Sequence, residues 1–170
     1  IGPNQVSQIP DTNTHFSTYL SKSTDNTMFF NPITEDEVLE VIKNLDAKKS
    51  TGHDGFSILI IKKLAAELSV PLTLIFNMSI KDGTVPDQLK IARVVPIHKK
   101  ESKNNFTNYR PTSVLPGFSK ILERLVFNRC ISFLNKHNIL FENQFGFRPK
   151  HSTNMAVIKL VDKIVNAANN

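Results

Sequence analysis

Lys99, Lys100 and Arg110 are the side chains of this 170-residue chain whose types and spacing best suit binding chemistry. They lie in two short segments, Ala92-Arg93-Val94-Val95-Pro96-Ile97-His98-Lys99-Lys100 and Asn108-Tyr109-Arg110-Pro111-Thr112-Ser113-Val114-Leu115. If these pair antiparallel, the two lysines leave the first strand just before the connecting loop and Arg110 enters the second just after it. Three cations then cluster at one end of a hairpin. Lysine brings a flexible point charge, and arginine brings a planar fork suited to phosphate oxygens. A triphosphate or a nucleic-acid backbone is the natural ligand. Between residues 90 and 110, Lys90, Arg93, Lys99, Lys100, Lys103 and Arg110 stand against Glu101, a net charge of +5. Lysines also blunt exposed strand edges with no ligand at all, so the hairpin alone leans toward phosphate without requiring it.

Other candidates divide into basic loops and absent centres. The loop Ala47-Lys48-Lys49-Ser50-Thr51-Gly52-His53-Asp54-Gly55 offers two lysines and a serine to a phosphate, and two glycines that permit positive φ and close backbone approach. A tight interhelical turn would account for it equally well. It is not the phosphate loop of a nucleotide triphosphatase, because Gly-Lys-Ser/Thr never occurs in that order. His15, His53, His98, His137 and His151 lack ligand spacing and read as surface or capping histidines. Glu35, Asp36 and Glu37 fall in a helix first turn, where negative charge suits the dipole. Asp54 and Asp162 are isolated, and no carboxylate pair is spaced to hold two magnesium ions. Neither a Gly-x-Ser-x-Gly elbow nor a Cys/His pair offers covalent chemistry.

The charge of the whole chain is +6, unevenly spread. Residues 1–47 hold seven acids against Lys22 and Lys43, a net of −5, which leaves +11 for the remainder. A basic body behind an acidic leader points to an anionic partner, nucleic acid before membrane. On charge alone, a solvated basic surface fits as well. Cys130, among apolar residues of a helical pattern, excludes an internal disulfide framework and reads as a small core residue. An intracellular location is expected, with nucleus and cytoplasm not distinguished. No apolar run reaches the roughly 18 residues of a membrane span. The N-terminus carries no signal-peptide pattern and no initiator methionine, as expected of a processed product or an excised piece.

The elements that position these groups follow from periodicity and punctuation. Residues 1–31 read as a linker or leader, with Phe16, Tyr19, Leu20, Phe29 and Phe30 available to dock on the domain behind it. Thr34 and Glu37 have capping-box spacing, Ile33 and Val38 hydrophobic-staple spacing, and the helix they open should stop near Asp46. A helix is predicted from Ser57 to about Ser69, with Ile58, Ile61, Leu64, Ala65 and Leu68 inward. Another begins with Pro71 in its first turn, uses Leu72, Ile75, Phe76 and Ser79/Ile80, and closes at Gly83. Strands are predicted over 91–99 and 109–115, with a free edge or a bulge at Pro96. The polar loop Glu101–Thr107 between them should be mobile. A long helix follows from Pro116 to about His137, with Lys120, Arg124, Asn128, Ser132 and Lys136 as a solvated stripe. A final helix starts near Ser152 and carries Met155, Ile158, Val161, Ile164 and Val165.

Four blocks in order resemble the reverse transcriptases of non-LTR retrotransposons, the jockey-like long interspersed elements above all. They are Lys49-Ser50-Thr51-Gly52-His53-Asp54-Gly55, then 90–100, then Asn108-Tyr109-Arg110-Pro111-Thr112-Ser113, then Gln144-Phe145-Gly146-Phe147-Arg148-Pro149 with Ser152-Thr153. The resemblance covers roughly residues 32–170. It departs at Thr112, where isoleucine is usual. It implies a helix-rich α+β fold, the fingers subdomain of a right-hand polymerase with an antiparallel β-hairpin and an incomplete palm. On that reading 1–31 is a linker or leader and 32–90 the helical N-terminal part of the fingers. Residues 91–150 hold the hairpin, long helix and loop, and 151–170 a truncated first palm helix. The resemblance also implies that Lys99 and Arg110 contact the triphosphate of the incoming deoxynucleotide. Lys48, Lys49, Lys100, Arg148 and Ser152 would lie along the template. RNA and DNA template-primer and a deoxynucleoside triphosphate are the implied partners. Magnesium is expected only of a full-length polymerase, since the catalytic aspartates of the family lie in strands that would follow. The alternatives are a non-catalytic nucleic-acid-binding remnant and a helical interaction domain.

Overall fold

A computed structural model describes His15, Thr18 and residues 26–168. It divides into two compact units, Met28–Phe133 and a smaller one formed by Ile1–Thr27 with Leu134–Asn170. The larger unit carries α1 (Glu35–Asn44), α2 (Ile58–Lys63), α3 (Ala65–Asp82), α4 (Asp87–Lys90), β1 (Arg93–His98), β2 (Tyr109–Val114) and most of α5 (Gly117–Lys136). The smaller unit carries the end of α5 and α6 (Thr153–Ala168). The described part is helix-rich with one two-stranded antiparallel sheet. Among the described residues no helix is long and apolar enough to cross a membrane.

Helix α1 starts as its residues dictate. The Thr34 N–H donates to Glu37 Oε2 at 2.8 Å, and the Glu37 N–H donates back to Thr34 Oγ1 at 3.3 Å. Each bond satisfies a backbone donor that the helix itself cannot. Val38, Val41 and Ile42 bury one face against α3. Ile33, Ile58, Ile61, Leu72, Phe76, Ile121, Leu122 and Leu125 join them in a single core.

The helix boundary placed at Pro71 lies elsewhere. The break falls at Leu64 (φ −102°, ψ 22°), and α3 runs through Pro71 to an αL cap at Gly83. An interior proline forfeits one hydrogen bond, but Ala65, Ser69, Leu72, Phe76 and Ser79 form a buried face that continues through it. Packing outweighs the local preference here. The shift turns Leu64 and Ile75 outward, 46% and 41% exposed, where an inward position was expected.

Arg129 on α5 and Asn77 on α3 pin the approach to α1. Asn77 brackets Ile33, accepting from its N–H at 2.7 Å and donating to its carbonyl at 2.9 Å. Arg129 donates to the carbonyls of Asn31 (2.8 Å) and Pro32 (3.2 Å) and to both Glu37 carboxylate oxygens. Burial pushes the Glu37 carboxyl up, but the Thr34 N–H and the Arg129 guanidinium together outweigh it and hold it below its ordinary value. A depressed carboxyl contributes stability that is full above the unfolded value and is lost as pH falls through the lower folded one. Glu37→Gln should therefore flatten the acid limb of the stability curve. Urea midpoints of the two proteins should differ most above about pH 5 and converge toward pH 3. Parallel curves would show that the Glu37 carboxylate is uncoupled from folding.

Full burial along α5 stops at Leu125, and beyond it Val126, Ile131, Phe133 and Leu134 are half-buried. Phe127 is 45% exposed, and Cys130 is half-buried rather than a core residue. Phe29 is 80% exposed and does not dock, whereas Phe30 is 39% exposed. The expectation for Phe16, Tyr19 and Leu20 lies outside the described residues. In the smaller unit, Ser152 opens α6 by accepting from the Met155 N–H at 3.3 Å. No residue of α6 is buried.

Candidate nucleic-acid interface

The two strands pair in one unbroken register, from Arg93 opposite Val114 to His98 opposite Tyr109. The Lys99 N–H extends the ladder to the Asn108 carbonyl at 2.8 Å. Counting back from that bonded pair, every second pair is hydrogen-bonded, and Pro96 and Pro111 face each other across a non-bonded one. Their missing N–H groups would have pointed away from the partner strand, so the ladder loses nothing and needs no bulge.

Strand alternation sorts the side chains. Arg93, Val95, Ile97 and Lys99 share one face with Arg110, Thr112 and Val114; Val94, Pro96 and His98 share the other with Tyr109, Pro111 and Ser113. Lys99 and Arg110 therefore stand as diagonal neighbours, their backbones roughly 7–8 Å apart, within reach of one anion. Lys100 lies past the paired register and meets Glu101 at 3.4 Å. The side chains of Arg93, Lys99, Lys103 and Arg110 make no ion pair or hydrogen bond among the described residues. Lys90, part of the same basic stretch in the sequence, is paired with Asp87 at 2.9 Å. Thr112 is exposed beside Val95, so its hydroxyl displaces no core packing.

The loop expected to be mobile carries several ties to the strands and within itself. His98 Nε2 lies 3.1 Å from the Glu101 carbonyl, and the Tyr109 hydroxyl donates to the Lys103 carbonyl at 3.0 Å. Asn108 Nδ2 donates to the Ser102 carbonyl at 2.8 Å, and Asn105 caps a 3-10 turn over Phe106–Asn108. The imidazole of His98 and the ring of Tyr109 meet edge-on, centroids 5.3 Å apart, as a cross-strand pair. A histidine read as a surface residue is thus part of the device that folds the loop back.

The basic loop 47–55 is seated on the base of this hairpin. A Cβ on Gly52 would lie 2.6 Å from the backbone of Pro116, just past β2. His53 Nδ1 stands 3.1 Å from the Ile91 carbonyl, just before β1. Lys120 of α5 donates to the Ser50 carbonyl at 3.0 Å. Both ends of the ribbon are held by one loop. His53 and Lys120 had read as surface groups; partners 38 and 70 residues away leave no local signal.

Lys48 and Lys49 follow a turn closed by Asp46, whose carboxylate accepts from the Lys48 N–H at 2.9 Å. Lys49 lines an open groove of about 1000 Å³ between α1 and α5, with Lys120 and Arg124 but also Glu37, Glu40, Asp46 and Glu123. Four carboxylates against three cations make the groove a poorer polyanion surface than the hairpin. Arg148 and Ser152 belong to the smaller unit. Arg148 donates to the Phe141 carbonyl at 3.2 Å, and Ser152 serves as the cap of α6. Among the described residues no three His, Cys, Asp or Glu side chains gather where they could hold a metal ion.

No family model matches the chain. Individual proteins do. Over 137 residues, 80% of the chain, it is 37% identical to a probable RNA-directed DNA polymerase from transposon BS of Drosophila melanogaster. It is 33% identical over 149 residues to the probable RNA-directed DNA polymerase of the X-element, and 32% over 153 residues to that of the mobile element jockey, both from the same fly. These alignments take in 87% and 89% of the chain. The chain is homologous to one segment of the RNA-directed DNA polymerases of retrotransposons. Its relatives are those of jockey-like, non-LTR elements. It spans only 15–17% of the length of these three relatives.

Proposed function

We propose that the chain is the fingers segment of a jockey-like reverse transcriptase, and that its hairpin grips phosphate. Lys99 and Arg110 take the triphosphate of an incoming deoxynucleotide. Lys48, Lys49 and Lys100 lie along the template. Arg148 and Ser152 belong to the same template path, although each also has a local structural partner. The observation that supports this reading is the placement of Lys99 and Arg110 on one face of a paired ribbon, with no acid among the described residues neutralising either.

Binding of this kind is electrostatic and releases counterions, so it weakens linearly on a log–log scale as salt rises. Titration with single-stranded RNA at two salt concentrations should show tight binding at low salt and a steep loss at high salt. No binding at low salt would overturn the proposal and favour a helical interaction domain. In primer extension these 170 residues alone should add no nucleotide, because among the described residues no three His, Cys, Asp or Glu side chains gather where they could hold a metal ion for the metal-assisted step. Template-dependent synthesis would refute that part of the reading.

A further inference from the structure

Phe106 is 93% exposed, more than any other large apolar side chain of the larger unit. Single exposed apolar groups ordinarily need no explanation. This one differs in what holds it and what surrounds it. It opens the 3-10 turn at the hairpin tip, where the Asn105 carboxamide accepts from both the Thr107 N–H (3.0 Å) and the Thr107 hydroxyl (2.7 Å). The bonds from His98, Asn108 and Tyr109 fasten the rest of the loop. The ring is presented on an ordered tip, so a ligand need not bear the cost of ordering it. The same tip carries Lys99, Lys103 and Arg110, none of them ion-paired among the described residues.

An exposed aromatic ring on a loop whose flanks carry cations able to follow a phosphate backbone suits the binding of unpaired bases. We propose that Phe106 is a stacking site for an unpaired base of a single-stranded nucleic acid whose phosphates lie against the hairpin. The proposal rests on the reading of the hairpin as a phosphate grip, and adds a base contact to it. Stacking is indifferent to base identity, so Phe106 contributes affinity and strand position rather than sequence choice.

The test titrates the chain and three variants with a labelled RNA oligonucleotide, the matching DNA, and an abasic strand of the same length. Phe106→Ala should weaken binding to RNA, DNA or both by roughly five- to a hundredfold, with an unchanged salt slope. The RNA and DNA arms show which strand supplies the base. Phe106→Trp should bind at least as well as the parent. Phe106→Leu, which keeps apolar volume without a π-face, should behave like the alanine variant. On the abasic strand all four proteins should bind alike. Parent-like binding by the alanine or leucine variant overturns stacking and leaves the phosphate grip standing, as does an equal loss on the abasic strand. Absence of any binding by the parent overturns both.

Discussion

Gly52→Ala should destabilise the larger unit by about 3 kcal/mol, the upper part of the range for overpacking. The added methyl would sit 2.6 Å from Pro116 N and Cα and 2.9 Å from the Leu115 carbonyl carbon. All three are backbone atoms of a buried junction, so no side chain can rotate out of the way. The loop must lift, and lifting it breaks the contacts of His53 with Ile91 and of Lys120 with Ser50. For a unit of this size the melting temperature should fall by roughly 10–20 °C. Gly55, three residues on, is the control. It has φ +74° with nothing within 4 Å of a built Cβ, so alanine there meets backbone strain alone, about 1 kcal/mol. Equal melting temperatures for the two variants would show that the loop does not rest on the hairpin base.

The largest effect on binding is expected from Lys99→Ala with Arg110→Ala. A charge-assisted contact to phosphate contributes about 1.5 kcal/mol, so losing both should weaken RNA binding roughly a hundredfold at low salt. Each phosphate contact removed also takes about 0.7 off the slope of log affinity against log salt for a single strand. The double variant should lose about 1.4 of it. Both side chains are exposed, so the fold should survive. Lys90→Ala is the comparison: it removes one positive charge where the double variant removes two, and takes it from a cation already neutralised by Asp87. If the Lys90 variant lost half as much log affinity as the double variant, net charge rather than the geometry of the hairpin would be responsible.

What was legible in the residues was local. The capping box at Thr34 and Glu37 and the hairpin strands formed where spacing and β-branched runs placed them, because their partners lie within a few residues or in the adjacent strand. The helix boundary at Pro71 was misplaced because the evidence against it, a buried face continuing past the proline, lies in tertiary packing. The ties within the loop went unseen because length is visible in a sequence, whereas the bonds of His98, Asn108 and Tyr109 to loop carbonyls are not. Arg129 had left a trace. It follows Leu122 and Leu125 at helical spacing, on the side of α5 that is buried, where a cation needs acceptors. The candidate cations of the hairpin were found from their order in the chain. Which of them share a face depended on the register, and it sets Lys99 and Arg110 together, while Lys100 lies beyond it against Glu101.

The facing prolines bear on how the ribbon behaves among other molecules. A two-stranded arm has two open flanks, and each is a template on which a foreign strand could dock by main-chain bonding. On this arm the missing donors of Pro96 and Pro111 lie on opposite flanks at the same level. An incoming strand on either side would meet a carbonyl there with no N–H beside it, in the middle of the stretch it has to pair with. The arm can present its cations without recruiting a third strand from a neighbour, and it resists edge-to-edge aggregation at no cost to its own ladder.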